Sequence, residues 1–529
     1  MFYYNNYVGG ASMKKIFIKS IITAFIALGF INSKVQAVEV DYIQGSDRYE
    51  TASLIADKID YQNVILVNGL SIADGLSASG LSGALNAPIL LTRDTTIPNS
   101  TLEKLHKAAN IYIVGGNTVI SPNLEKELIK LGKSVKRLAG DNRYDTSIAV
   151  AKEIESIKGV QEIYYVNGIK GQADAMSIAP VAASRKNPVI LTNGLDSSYK
   201  KNIKSYSIGG TTVLSTSFDA FSERISGLNR FETNKNVINK FFPNKTHVNL
   251  SKSDVLIDAL TSSALKEPVV LVSAASDKSV ISGAKSITVF GDIDAIAVRR
   301  AKAYLYGDTV VFYSQHQDDE TLFAGSAIVD AIQAVGRENV YIVLVTDGTG
   351  SEVFNWSRYK NISTETKINL RNAEFLSAVS KLGILPENIV MLGQPENNIN
   401  EDVISDAVTY FQNSFPNVTH VVHSYKYDTH PQHLATGKLI YELYKNNLIY
   451  DCRFFIPPSE ASYVPNELLI ESTADNNLEK ESVLNAVEEY KLDNQDMIRE
   501  GIGFKSVPGL FKYISSDPKV SSYLHMPEN

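Results

Sequence analysis

The stretch YSQHQDDETLF, residues 313–323, sets His316, Asp318, Asp319 and Glu320 within five positions, directly after the apolar run TVVFYS. Adjacent carboxylates repel and are costly to bury unless a cation or a proton offsets their charge. The cluster therefore implies a positive partner. A second group, YDTHPQHLATGKLIYELY, carries His430 and His433, and five of the eight histidines fall between His316 and His433. Pro431 suits the first turn of a helix, so these two imidazoles meet near its N-terminus. Neutral imidazoles with a carboxylate suit Zn²⁺, and a catalytic zinc keeps one position open for water. On this pattern His316, Asp319 and His433 supply three ligands to one metal ion. Asp318 then takes a proton from water, and His430 steadies a developing oxyanion or protonates a leaving amine. Fe²⁺ and Co²⁺ suit the same ligands. Each motif alone has a plainer account: an acidic helix cap for the first, surface or structural histidines for the second. His420 and His423, in VTHVVHSY, read as residues that pack or orient neighbours.

Such ligands need a scaffold. After about residue 305 the order is strand TVVFYS, helix ETLFAGSAIVDAIQAVG, strand VYIVLVT and loop DGTGSE, the pattern of a parallel sheet. Ligands of open α/β sheets bind beyond the carboxyl ends of strands, where His316 to Asp319, and then Asp347 and Gly348, fall. The motifs QHQDDE, VTDGTG, LRNAEFLSAVSKLG and DTHPQH, in this order, resemble the PIG-L (LmbE-like) family of zinc-dependent N-deacetylases over residues 306–529. The resemblance implies a Rossmann-like domain that removes acetyl groups from N-acetylglucosamine-type units. Carried over, it places one zinc on His316, Asp319 and His433, with Asp318 as base and His430 as electrophilic partner. Arg371 falls where members hold a substrate-orienting arginine; an ion pair with Glu374 is the alternative. Gln317 stands where the family usually has Pro, and Gln432 where it usually has Asp, which bears on loop rigidity and on what orients His433. A metal hydrolase acting on esters or other amides, and a non-catalytic wall protein or adhesin whose deacetylase-like domain has lost its activity, are the rival readings.

The first half of the chain repeats itself. GSDRYETASLIADKI, GDNRYDTSIAVAKEI and GLNRFETNKNVINKF begin at Gly45, Gly140 and Gly227, and each leads to matching apolar runs such as PILL, PVIL and PVVL. Short β-branched runs bounded by Gly, Pro or Asn, alternating with helical spacing, make each copy a small parallel α/β layer. The copies resemble the cell wall binding repeat 2 family over residues 38–305, divided at 139 and 226. That implies three units packed as a pseudo-threefold and attachment to an anionic cell-wall polymer. Arg48, Arg143 and Arg230 recur and either pair with such a polymer or tie each helix to a neighbouring loop through Asp74, Asp174 and Asp258. The third copy has a shorter helix and the polar THVNLS where the others have apolar strands, which weakens its claim to a share in binding. No phosphate-loop glycine pattern occurs.

A net charge of −7 over 529 residues gives no general attraction to nucleic acid. The single cysteine, Cys452, permits no internal disulfide and reads as a buried hydrophobe in YDCRFFIP. From Met13, MKKIFIKSIITAFIALGFINSKVQA has the charged start, apolar core and small-residue end of a secretory signal at 13–37, and no later run reaches the length of a membrane span. These features place the mature chain outside the cell, at the wall. N-terminal sequencing of extracellular protein should then find Val38 first; an intact Phe2 or Tyr3 would overturn the leader reading.

Overall fold

The computed structural model describes residues 39–494 and 498–528, so the expected leader lies outside the described residues. The three copies open alike because their shared residues cap a helix. Asp47, Asn142 and Asn229 accept the backbone N–H groups two and three residues on, starting α1 (Arg48–Ala56), α2 (Arg143–Lys158) and α3 (Arg230–Phe241). The motif threonine accepts the N–H of the motif glycine, at 3.0 Å for Gly45 and Thr51, 3.2 Å for Gly140 and Thr146, and 3.0 Å for Gly227 and Thr233. This bend lays the glycine on the first helical turn, where a Cβ on Gly140 would stand 2.3 Å from Asp145 Cβ. The arginines staple helix to sheet by donating to the carbonyls of Gly69, Gly168 and Ser253. Burial pushes Asp174 and Asp258 up to about 6, and the guanidinium groups of Arg230 and Arg48, each from another unit, oppose that rise.

Each unit has a four-stranded parallel sheet. The strands in chain order are β1 (Glu39–Ile43), β2 (Asn63–Asn68), β3 (Ile89–Thr92), β4 (Asn110–Val114), β5 (Ser134–Leu138) and β6 (Glu162–Asn167). They continue with β7 (Val189–Thr192), β8 (Lys204–Ile208), β9 (Glu223–Ile225), β10 (His247–Lys252), β11 (Val269–Val272) and β12 (Ser286–Phe290). The sheet orders are β3-β2-β4-β5, β7-β6-β8-β9 and β11-β10-β12-β1. In the first two units the fourth strand is the segment that leads into the next unit. In the third, that place is taken by β1 from the N-terminal end of the described chain, with Glu39 opposite Ser286 and Ile43 opposite Phe290. The cycle of three units is closed by this strand. One apolar core joins all three, with Ile65 and Val67, Tyr164 and Val166, and Val269 and Leu271 meeting inside it. In the third unit buried Asn249 and Ser251 occupy the strand positions of Ile65 and Val67, and its helix Ile257–Ser262 is much shorter than Gln172–Arg185.

The C-terminal domain is built on a seven-stranded sheet. Its strands β13 (Thr309–Ser314), β14 (Val340–Thr346), β15 (Ile389–Gln394), β16 (Val418–His423) and β17 (Cys452–Ile456) are parallel in the order β15-β14-β13-β16-β17. The C-terminal strand Ser522–His525 then runs antiparallel between β17 and β18 (Leu469–Ser472). This is the expected Rossmann-like α/β domain. Chain direction across the sheet reverses between β13 and β16, and the carboxyl ends of strands at such a reversal are where open α/β sheets bind ligands. Cys452 is buried, and burial raises its thiol well above the ordinary value, as befits a core residue. Among the described residues no helix is long and apolar enough to cross a membrane.

The third unit and this domain share a core. Val248, Leu250 and Val289 belong to the same buried cluster as Phe312, Leu344, Phe375 and Val483. Helix α4 (Ala295–Lys302) packs on β18; Arg300 pairs with Glu471 at 2.6 Å and Tyr304 donates to Asp475 at 2.8 Å. Damage to the third unit should therefore be felt beyond it. Deleting residues 39–43 should lower the melting temperature and speed hydrogen exchange in both β12 and β13; undiminished protection of β13 would show that the shared core does not couple them.

Candidate metal centre

The loop between β13 and helix α5 (Asp319–Val335) is pinned by hydrogen bonds to its neighbours. Gln315 donates its N–H to His423 Nε2 at 3.2 Å, its carbonyl accepts from Thr346 Oγ1 at 2.8 Å, and its side chain accepts from Thr436 at 2.6 Å. Gln317 is buried where Gly348, at φ 73°, comes so close that a Cβ there would lie 2.3 Å from Gln317 Oε1. The glycine of VTDGTG thus makes room for the glutamine. Its amide nitrogen donates to Asn372 at 3.1 Å.

Three donor atoms converge at the start of α5. Asp319 Oδ2 lies 3.2 Å from His316 Nδ1 and 3.2 Å from His433 Nε2, and those two nitrogens are 3.3 Å apart. Ligand atoms about a tetrahedral zinc bonded at about 2.0–2.1 Å stand about 3.3 Å from one another. The donors are thus spaced as a tetrahedral cation would require. The outward nitrogens of both imidazoles are also engaged: His433 Nδ1 lies 3.0 Å from Asp428 Oδ2, and His316 Nε2 lies 2.7 Å from Gln432 Oε1 and 3.4 Å from Glu396 Oε2. Such partners fix the tautomer and aim of ligating histidines. His433 is presented by the first turn of α7 (Pro431–Lys445), with Pro431 at its start as expected.

His423 is fully buried and its ring stacks on that of His433 at 3.7 Å. Its Nε2 is 3.2 Å from Asp319 Oδ2, so Asp319, His423 and His433 form a second possible ligand group. That nitrogen already accepts the Gln315 N–H, however, which leaves it no free lone pair for a cation. His430, exposed beside this cluster, places its ring 5.0 Å from that of His316 and 4.4 Å from that of His433. Burial and the neighbouring imidazoles lower it to about 4, so it is neutral at pH 7 and offers one N–H.

Asp318 sits behind the cluster, 5% exposed, with Arg371 Nη2 at 3.0 Å from its Oδ2. Burial raises it to about 6 against the pull of Arg371, a value suited to accepting a proton near neutrality. Arg371, on helix α6 (Thr364–Leu382), is itself buried; it also donates to the Gln317 carbonyl and pairs with Glu374 at 3.1 Å. The ion pair considered from sequence is therefore present, within a larger network. Sequence reasoning missed the parts played by Asp428 and Glu396. Asp428 lies inside the motif DTHPQH and was open to notice; Glu396, in the loop after β15, carries no local signal.

The charge that the carboxylates demand is supplied here by protons. Burial opposes ionisation of Asp319, yet the charged His433 beside it holds it well below the usual carboxylate range. Burial lowers His433, but Asp319 and Asp428 prevail and raise it to about 9. A histidine raised in this way adds stability that is full below its unfolded value of about 6.5 and lost as pH climbs through 9. In metal-free protein an NMR titration should show His433 charged at pH 7.5 and titrating near 9, while buried His420 stays neutral down to about 3. A His433 that loses its proton near 6.5 would contradict this electrostatic account.

A sequence model of cell wall binding domain 2 matches the chain three times, at residues 43–125, 137–219 and 224–351, and a model of GlcNAc-PI de-N-acetylase (PIG-L) matches residues 311–444. The N-acetylmuramoyl-L-alanine amidase LytC of Bacillus subtilis is 28% identical over 59% of this chain and 68% of its own length. The solved structure of Cwp6 from Clostridium difficile is 24% identical, with a TM-score of 0.48 over 76% of this chain and 66% of that one. The N,N'-diacetylchitobiose deacetylase from Pyrococcus horikoshii is 15% identical, with a TM-score of 0.30 over 39% of this chain and 77% of that one. The three repeat matches together span more than half of the sequence, and the chain belongs to the cell wall binding domain 2 family.

Proposed function

We propose that the C-terminal domain is a zinc-dependent N-deacetylase, held at the cell wall by the three repeats, that hydrolyses the N-acetyl amide of an N-acetylglucosamine-type glycoconjugate. The observation that carries this reading is the triangle of Asp319 Oδ2, His316 Nδ1 and His433 Nε2, with sides of 3.2, 3.2 and 3.3 Å, at the reversal point of the sheet. The PIG-L match over the same residues supports it. These three residues would hold the cation, Zn²⁺ by the mix of imidazole and carboxylate, with other divalent ions suited to the same donors. When bound, the ion would polarise the acetyl carbonyl and acidify a water.

The rest falls to the chain. Asp318 takes a proton from the water as its oxygen forms a bond to the carbonyl carbon. His430, neutral and at the mouth, gives its N–H to the oxygen on which negative charge develops. Breaking the C–N bond then leaves acetate and an amine, which receives the proton held by Asp318. Arg371 faces Asp318, so its part in binding substrate would be through that carboxylate. The repeats would hold this chemistry beside an anionic wall polymer outside the cell, in keeping with the family to which they belong.

Three variants separate holding the metal from using it. His433→Ala should lose both bound zinc and acetate release. Asp318→Asn should keep zinc but lose on the order of 10²- to 10⁴-fold in turnover, and His430→Ala on the order of 10²-fold. Metal analysis and acetate release from N-acetylglucosamine oligomers provide the readout. Wild-type metal content in His433→Ala would refute the ligand set, and wild-type turnover in zinc-loaded Asp318→Asn would refute the base.

A further inference from the structure

Asp318 has a backbone that a side chain rarely adopts, at φ 147° and ψ −25°. Such conformations persist only where surrounding contacts over-determine them. Two sets of contacts converge here, and both lead to the chain beyond residue 444, where the deacetylase match ends. The first runs through Glu320, whose Oε2 accepts the Asp318 N–H at 3.1 Å while Oε1 accepts from Tyr490 Oη at 2.7 Å. The second runs through Arg371 and Glu374. Arg371 holds the Asp318 carboxylate, and Glu374 accepts the N–H groups of Ile502 at 2.6 Å and Gly503 at 3.0 Å. Gly503 completes the enclosure. A Cβ there would stand 2.7 Å from Arg371 Nη1, 2.8 Å from the Tyr490 ring and 3.3 Å from Asp318 Oδ2.

We propose that Tyr490 and Gly503 are positioning residues, which fix Asp318 in its strained conformation through Glu320 and Arg371 and so aim its carboxylate into the crevice. This rests on the reading of Asp318 as the base. Tyr490 bonds Glu320 and Gly503 bonds Glu374, neither of them a member of the ligand triangle, so their effect should fall on turnover and spare metal binding. Tyr490→Phe removes only the hydroxyl and leaves the ring in its fully buried place against Phe511. Gly503→Ala puts a methyl group among Arg371, Tyr490 and Asp318.

Both variants of the full chain would be compared with wild type for kcat, KM, zinc affinity and melting temperature, and crystallised metal-free. The expected result is a kcat lower by on the order of 10- to 100-fold, with KM and zinc affinity unchanged, and an Asp318 φ that leaves the positive region. An unchanged kcat overturns the proposal, as does a fall of kcat, zinc affinity and melting temperature together. Should Gly503→Ala not fold, Tyr490→Phe decides alone. If wild type releases no acetate, the functional reading has failed, and the φ of Asp318 in the variant crystals still decides the clamp: retention near 147° overturns it.

Discussion

One buried carboxylate oxygen, Asp319 Oδ2, is the atom around which the candidate metal centre is arranged. It accepts the His316 N–H at 2.8 Å and lies 3.2 Å from a nitrogen of each of His316, His423 and His433. A charge this buried survives only with opposite charge around it. The surrounding structure can be understood as the means of bringing that charge in. The loop after β13 delivers His316, the start of α5 delivers Asp319, α7 delivers His433, and Asp428, Gln432 and Glu396 hold the far sides of the imidazoles. The reversal of chain direction between β13 and β16 is what lets these separate stretches meet.

How much of this was legible in the sequence depended on the range of the interaction. The repeated G-x-x-R-[YF]-x-T was legible as a recurring unit that opens a helix, whereas its capping bond and the staple of each arginine to a carbonyl at the nearest strand end, in place of a pairing read from Asp74, Asp174 and Asp258, emerge only in the structure. The candidate ligands were readable as a combination, because His316, Asp319 and His433 fall at strand-to-helix junctions of one sheet, although each motif alone had a plainer account. Three features were not. The pairing of β1 with β12 joins segments at opposite ends of the repeats, and β1 carries only the pattern of any short strand. The apolar positions shared between the third unit and the C-terminal domain look in sequence like those of two separate cores. Glu396 reaches His316 only through the fold. The strained backbone at Asp318 also leaves no mark, since nothing about an aspartate announces its φ.

The polar substitutions in the third unit make sense beside the shared core. Asn249 and Ser251 stand where its sister units place apolar side chains toward the common centre, so this unit contributes less to that centre from β10. On the opposite face of the same strand, Val248 and Leu250 join the cluster that continues into the C-terminal domain. The unit has exchanged part of one packing surface for another. Its shortened helix fits the same account, and the departures first visible in THVNLS become the features of a connecting piece.

The closure of the cycle by β1 has a consequence for the order in which the molecule can form. In the first two units every strand of the sheet is at hand once that unit and its exit segment exist. The third sheet must wait for a partner separated from it by the entire repeat region. Pairing across so long a stretch is slow, because loop entropy is lost before the contacts repay it. The core shared with the C-terminal domain is bounded by that same sheet. The strand at the N-terminal end of the described chain is therefore among the last to find its place, and the candidate metal centre inherits that delay as a late-maturing part of the protein.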